Sequence, residues 1–371
     1  LAHAIKPEEL LGRNTIHVYG SEAKGLIGNK TILVTGAGGS IGSEIVRQVH
    51  HLGAKKVYYL DNDEFALYTL QMEQDGAALL DDDTYRLADI RDSRLMERLM
   101  QEVRPDIVFH AAAHKHLPLL ERAPEAAVKT NIFGTESVIR AAVAAGVDRV
   151  VNISTDKAAN PSSALGWSKR LAEHVASSYG NSTTKIASVR FGNVLGSRGS
   201  FLPTLITQIE QGATIRITDP EVSRFFMTIP EAAGLVIEAA CLARQGETYV
   251  LDMGVSVKIE DLVHRYVKLA GCKMPKIEYI GLRAGEKLTE ELFDSREVHR
   301  TTDHARIWMA DVGSYPVHET LHMLRKLVEQ GAHPNIMRTA MEFYTNRKAP
   351  RAISSTGALV SSVAAFAGSR N

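Results

Sequence analysis

Residues 30–49, KTILVTGAGGSIGSEIVRQV, decide the fold. An apolar, β-branched run (Thr31–Thr35) meets a cluster of glycines, and an amphipathic segment follows. That order is strand, glycine turn, helix. The turn carries T-G-x-x-G-x-x-G, with Gly36, Gly39 and Gly42 at its key positions and Ser40 and Ile41 opening the helix. Glycine permits the tight turn and lets a backbone approach a pyrophosphate. The helix N-terminus then offers free N–H groups and the positive end of its dipole. Asp61 lies about 20 residues further on, at the end of the next apolar run, where an acid accepts from a ribose diol and repels a 2′-phosphate. The pattern therefore predicts a dinucleotide site that prefers NAD. Asp63 can share the work of Asp61.

Working outward, strands are expected at KKVYYLDND, TYRLADIRD, DIVFHAAA, DRVVNIST and KIASVRFGNV. Helices are expected between them. Leu95, Leu99 and Val103 recur at helical spacing, and a long helix over 125–145 stops at Gly146. Alternating strands and helices rich in Val and Ile predict an α/β fold, a doubly wound parallel sheet of the Rossmann type with its ligand at the carboxyl ends of the strands. Asp89 and Ile90 then flank the adenine. Ala111–Ala113 leave room for the middle of the cofactor. After residue 192 the rhythm loosens. Helices near 201–211, 230–244, 258–271 and 318–329, with short strands over 214–217, 248–253 and 276–280, predict a smaller mixed lobe. The expected organisation is an N-terminal arm (1–28), the dinucleotide-binding domain (29–192), a mainly substrate-binding lobe (193–347) and a disordered tail (348–371).

Composition narrows the classes. The chain has 371 residues, 44% of them hydrophobic, with 43 basic and 43 acidic side chains. A balanced charge argues against a nucleic-acid partner. With two cysteines, Cys241 and Cys272, no disulfide framework is possible, which fits a reducing cytoplasm. His114 and His116 form an H-x-H without further clustered ligands, so no metal is expected. No apolar run reaches membrane-spanning length.

A second stretch carries the chemistry: NISTDKAANPSSALGWSKR, residues 152–170. Thr155, Asp156 and Lys157 follow a strand, and Lys169 stands in the next helix. A Y-x-x-x-K pair would put a Tyr one turn before that Lys, on the same helix face. The residue there is Leu165.

The segments TGAGGSIGSE, HAAAHKHLP, VKTNIFGT, ISTDKAANP, RFGNVLGSRGS, RFFMTIPEA and LRAGEKLTEEL, in that order, resemble the extended short-chain dehydrogenase/reductases. Within these they are most similar to the polysaccharide-biosynthesis UDP-N-acetylglucosamine 4,6-dehydratases, over roughly residues 5–340. The likeness is to the soluble catalytic portion of the long, membrane-anchored members, so a membrane region preceding the arm and a cytoplasmic site are expected.

The resemblance implies the reaction and its residues. NAD takes hydride from sugar C4, a base removes the C5 proton, the C6 hydroxyl leaves with help from an acid, and hydride returns to C6. Asp156 corresponds to the acid, Lys157 to the C5 base, Thr155 to the residue at the C4 hydroxyl and Lys169 to the Lys on the nicotinamide ribose. Leu165 cannot take the C4 proton, which must leave through Thr155 and water or to Asp156. On the substrate side the likeness points to Asn193, Arg198, Arg224, Arg283 and Glu286 for the UDP, where guanidinium forks suit a diphosphate. Lys115 and His116 are expected to line the sugar pocket, while Asn131 is expected to be structural. The product is a UDP 4-keto-6-deoxy-N-acetyl sugar with C5 retained. The alternatives are a C5-inverting dehydratase, a C4 epimerase and a non-catalytic NAD-binding regulator. Pairing of subunits through helices at 125–145 and 165–179 is also implied, as a homodimer.

One energetic expectation concerns the acid–base pair. A neutral Asp beside a neutral Lys is disfavoured in water by about 6.5 pK units, roughly 9 kcal/mol. Burial favours the neutral pair, and Lys169 with the nicotinamide cation is expected to lower the pKa of Lys157.

Overall fold

The structure is a computed structural model and describes residues 5, 7–12, 20–77, 79–313 and 315–347. The strands, in chain order, are β1 (Thr31–Thr35), β2 (Lys56–Asp61), β3 (Tyr85–Leu87), β4 (Ile107–His110), β5 (Arg149–Ile153), β6 (Lys185–Arg190), β7 (Asn193–Leu195), β8 (Ile215–Ile217), β9 (Ser223–Arg224), β10 (Phe226–Thr228), β11 (Gln245–Leu251), β12 (Val257–Lys258), β13 (Ile277–Tyr279), β14 (Val298–Thr301) and β15 (Ile307–Asp311). Nine of them form one sheet in the order β14-β15-β11-β6-β5-β4-β1-β2-β3. The run from β3 to β11 is parallel, and β15 and β14 close the far edge antiparallel. The strand order reverses between β1 and β4, and the crevice at such a switch point is where α/β sheets bind ligands.

The six expected strands of the first half are all present, with β3 shorter than anticipated. The sheet does not stop there, however. β11, β14 and β15 come from beyond residue 193 and still join it. Strand β11 pairs with β6, and its Tyr249 and Leu251 lie in the same core as Val189. The lobe beyond 193 is thus built from the remaining segments. Leu202, Leu205, Ile215, Phe226 and Val263 form its separate core, to which Leu10 of the arm contributes.

The arm contains two short helices, Pro7–Leu11 and Ser21–Ile27, the second packed through Ala23 and Ile27. Ile16 and Val18 of the arm and the whole tail from Lys348 lie outside the described residues. The helix expected over 125–145 is one rod with a π-helical middle, Val128–Gly134. Ile90 packs so closely on Gly134 that a Cβ there would lie 2.6 Å from its Cδ1.

Two C-terminal helices, Val317–Glu329 and Pro334–Asn346, pack on the helix Ala164–Ser178. The helix Ala164–Ser178 is buried at every residue from Ala164 to Ala176, within this one chain. Leu321, Leu324, Met337, Ala340, Met341 and Tyr344 join its core. Arg325 pairs with Glu136 and lies over the Phe133 ring. The helix Ala164–Ser178, one of the two expected to pair with a partner, thus has part of its surface covered by this chain's own C-terminal helices. Among the described residues no helix is long and apolar enough to cross a membrane.

Candidate active site

The helix Ser40–His51 starts at Gly39 without a side-chain cap. Its first amides face a cleft of about 730 Å³, whose wall includes Gly36, Gly39, Ser40, Ile41 and Gly42. The turn is held tight. Gly36 has φ 67°, and a Cβ on Gly42 would stand 2.1 Å from the Gly36 carbonyl oxygen. Asp61 Oδ2 accepts from the Gly38 N–H at 2.9 Å, which ties the turn to the end of β2. Asp63 caps the next helix through the Ala66 N–H. Beneath the turn, the buried His110 bridges Thr35 Oγ1 at 2.7 Å and Thr135 Oγ1 at 3.0 Å. Burial pushes its imidazole down to about 3, and Lys169 adds to that, so the ring is neutral. Uncapped amides and a glycine cradle fit a dinucleotide pyrophosphate. A Gly42→Ala substitution forces a Cβ into backbone, which typically costs about 1–3 kcal/mol. NAD affinity, read by fluorescence titration, is expected to fall about tenfold or more.

A second cavity of about 250 Å³ continues from the first, sharing Gly36, Gly39, Asp63, Ala111 and His114 with it. Asp61, Asp89 and Ile90 line this second part. Asp89 holds Arg91, and that hydrogen bond keeps its carboxyl below the ordinary value.

At the other end of the cleft stand Thr155, Lys157, Leu165 and Lys169. Thr155 caps a single 3-10 turn, Asp156–Ala158, that follows β5. Its hydroxyl donates to Asp156 Oδ1 at 2.9 Å, and Lys157 Nζ donates to the same oxygen at 3.0 Å. Asp156 itself is fully buried, lies behind the cleft wall, and its Oδ2 has no partner among the described residues. Lys169 Nζ donates to the Ile153 carbonyl at 2.6 Å. Burial lowers its ammonium to about 8, with Glu173 opposing the shift. Asn131 bonds the His114 backbone and donates to Ser168 Oγ at 3.0 Å, which ties the loop after β4 to the helix that carries Lys169.

Lys157 departs from the sequence-based expectation. Burial does oppose its charge, but Asp156 and then Glu290 outweigh it and hold the ammonium above its ordinary value. Glu290 Oε1 is 3.5 Å from Lys157 Nζ. No motif in the sequence singles this acid out.

On the substrate side, Lys115, His116, Asn193 and Arg198 line the large cleft. Lys115 Nζ donates to the Arg198 carbonyl at 2.7 Å, and the Arg198 N–H donates to Ser40 Oγ at 3.0 Å. The loop after β7 therefore lies over the glycine helix. Asn193 Oδ1 accepts from Lys157 at 3.3 Å. Arg224, Arg283 and Glu286 are not in the wall of either cavity. Arg224 is buried, bonds the Ser223 and Leu288 carbonyls, and pairs with Glu286 at 3.1 Å. Arg283 is exposed.

A charged cluster under the site also escaped the sequence reading. Arg190, 0% exposed, bonds both oxygens of Glu173 and both of Glu297. Arg170 joins Glu297, and Ser154 Oγ donates to Glu173 at 2.6 Å. An Arg ending an apolar strand and a Glu within an all-buried helix were the available signals.

Comparison with known proteins agrees with this architecture. Residues 32–312 match the family described as polysaccharide biosynthesis protein. The capsular polysaccharide biosynthesis protein CapD of Staphylococcus aureus is 41% identical over 348 residues, 91% of this chain, and the chain spans 57% of that relative's length. A UDP-glucose 4-epimerase of Rickettsia akari is 34% identical over 288 residues, 74% of this chain and 81% of the relative. Among solved structures, Pen from Bacillus thuringiensis superposes with a TM-score of 0.68 at 35% identity, covering 79% of this chain and 91% of Pen. The doubly wound sheet is that of the extended short-chain dehydrogenase/reductases, and the chain belongs to the polysaccharide biosynthesis protein family.

Proposed function

We propose that the protein is an NAD-dependent nucleotide-sugar 4,6-dehydratase acting on UDP-N-acetylglucosamine, with retention at C5. What carries this reading is the buried Asp156–Lys157 pair at the sugar end of a cleft whose other end is a dinucleotide cradle. NAD, when bound, supplies oxidation at C4 and reduction at C6. The chain's own groups supply the rest. Lys157, on the cleft wall, gives up its resting proton to water and then takes the C5 proton at Nζ. Asp156 provides the proton for the departing C6 hydroxyl. Because Asp156 lies behind the wall, its proton travels through the Thr155 hydroxyl, which bonds its Oδ1. Lys169, anchored to the Ile153 carbonyl, orients the nicotinamide ribose. Leu165 leaves an apolar wall where a Tyr would act, so the C4 hydroxyl proton leaves through the Thr155 hydroxyl to water in the cleft. Lys115, His116, Asn193 and Arg198 bind the sugar and diphosphate. Arg224 and Glu286 support Glu290 and the loop behind Lys157.

A second reading, C4 epimerisation, draws support from the Rickettsia relative's name. It leaves the Asp156–Lys157 pair without a task. Incubation with NAD and UDP-N-acetylglucosamine in D2O, followed by NMR of the sugar, separates them. A C6 methyl and deuterium at C5 are expected. A C4 epimer with intact C6 supports the epimerase, and an unchanged sugar sinks both.

A further inference from the structure

Lys157 is held from two sides. On one side are Asp156 Oδ1 at 3.0 Å and Asn193 Oδ1 at 3.3 Å. On the other is Glu290, 4% exposed, with Oε1 at 3.5 Å. Glu290 comes from the segment between β13 and β14, far along the chain from the catalytic turn. Its Oε2, like Asp156 Oδ2, is buried with no partner among the described residues. Among the described residues Arg224 on β9 is the other cation in reach of Glu290, at 3.9 Å, and Arg224 is drawn to Glu286 at 3.1 Å. The charged groups around the Lys157 ammonium are thus Asp156 from its own turn, Arg224 from β9, and Glu286 and Glu290 from the following loop.

A lone ion pair needs one carboxylate. Burying a second acid beside the same ammonium, with an unsatisfied oxygen, is costly unless its charge serves the site. We propose that Glu290 is a positioning residue for Lys157: its carboxylate fixes the amine between itself and Asp156 and faces the positive charge that forms when Lys157 takes a proton. The inference rests on the dehydratase reading for its catalytic meaning. In that step the C5–H bond breaks and an N–H bond forms on Lys157. The freed electron pair makes the C5–C6 double bond as the C6–O bond breaks, and the hydroxyl leaves as water with the proton from Asp156. The two products at the protein are an ammonium and an Asp156 carboxylate. Glu290 supplies a second anion for that ammonium, so Lys157 does not depend on Asp156 alone while Asp156 is still protonated.

The test removes the charge and keeps the shape. Glu290→Gln and Glu290→Asp are compared with the parent protein, first without turnover. Lysines are labelled with an amine-reactive reagent over a pH series, and the Lys157 peptide is followed by mass spectrometry. An opposite charge at this range moves a pKa by about one unit or more. The pH of half-labelling for Lys157 is therefore expected to fall by about one unit in Glu290→Gln and to stay near the parent value in Glu290→Asp. The acid limb of C5 deuterium exchange is expected to move the same way. Should the Gln variant not fold, Glu290→Ser carries the same expectation. A Lys157 titration that does not move in a folded, charge-free variant overturns the proposal. A titration that moves as expected, in a protein whose parent form never exchanges C5, keeps Glu290 as the partner of Lys157 and overturns the dehydratase reading instead.

Discussion

The Lys157→Ala protein is expected to oxidise its sugar at C4 and go no further. The quenched reaction should contain a 4-ketone that keeps its C6 hydroxyl and its original C5 hydrogen, with no deuterium incorporated from D2O. Loss of a positioned proton-transfer group costs about 10²–10⁴-fold. Lys157 is the cleft-lining amine of the group, and among the described residues no other lysine is bonded to Asp156, so the upper part of that range is expected. Asp156→Asn should behave differently. Asn keeps the size and can still accept from Thr155 and Lys157, but it has no proton to give. C5 exchange is expected to persist, while loss of the C6 hydroxyl falls by the same order. If both variants make full product, the assignment of the pair is wrong. If both block C5 exchange equally, Asp156 governs the charge of Lys157 rather than the leaving group.

Replacing Arg190 with Met should have the largest effect on stability. The substitution strands the carboxylates of Glu173 and Glu297, 0% and 2% exposed at the side chain, against Arg170 alone. Removing one partner of a buried ion pair costs about 3–5 kcal/mol. Urea unfolding is expected to show a loss of that size. Arg190→Met combined with Glu173→Leu should recover part of it, because fewer charges are left uncompensated. The pH dependence gives a second readout. Burial favours the neutral Glu297, yet Arg190 and Arg170 outweigh it and hold its carboxyl below the ordinary value. This group's contribution is therefore complete above the unfolded-state carboxylate value and fades as pH falls through the lowered folded value. In Arg190→Met the acid-side loss from Glu297 should be smaller. An unchanged unfolding midpoint would mean that the cluster is not a structural keystone. The same cluster reaches the site through Ser154 and Glu173, next to Thr155 and one helical turn after Lys169, so the variant should also weaken cofactor binding.

What the sequence determined by itself was local. The glycine turn and its flanks specify a strand, a tight bend and an uncapped helix start, because conformational freedom at Gly36 and close packing at Gly42 are demands met within a dozen residues. Strand and helix periodicity gave the parallel sheet, and the run Thr155–Lys157 set an acid beside an amine, while the cap that Thr155 makes for a single turn is seen only in the structure. Leu165 was legible as the residue one turn before Lys169, and it does line the cleft.

Only the tertiary structure decided the rest, and the reason is the range of the forces involved. The edge strands β11, β15 and β14 join the first-half sheet because backbone groups and apolar faces must be paired across the whole chain. The C-terminal helices pack on Ala164–Ser178 because Leu321, Leu324, Met337 and Met341 leave water in the same core as its Leu165, Leu171 and Val175. Arg224 and Glu286 turn away from the cleft because a buried guanidinium takes the nearest carbonyls and carboxylate. Above all, the state of Lys157 depends on Glu290, more than a hundred residues away in sequence. Spacing along the chain shows Asp156 beside it, and only the fold shows the second carboxylate that keeps it charged.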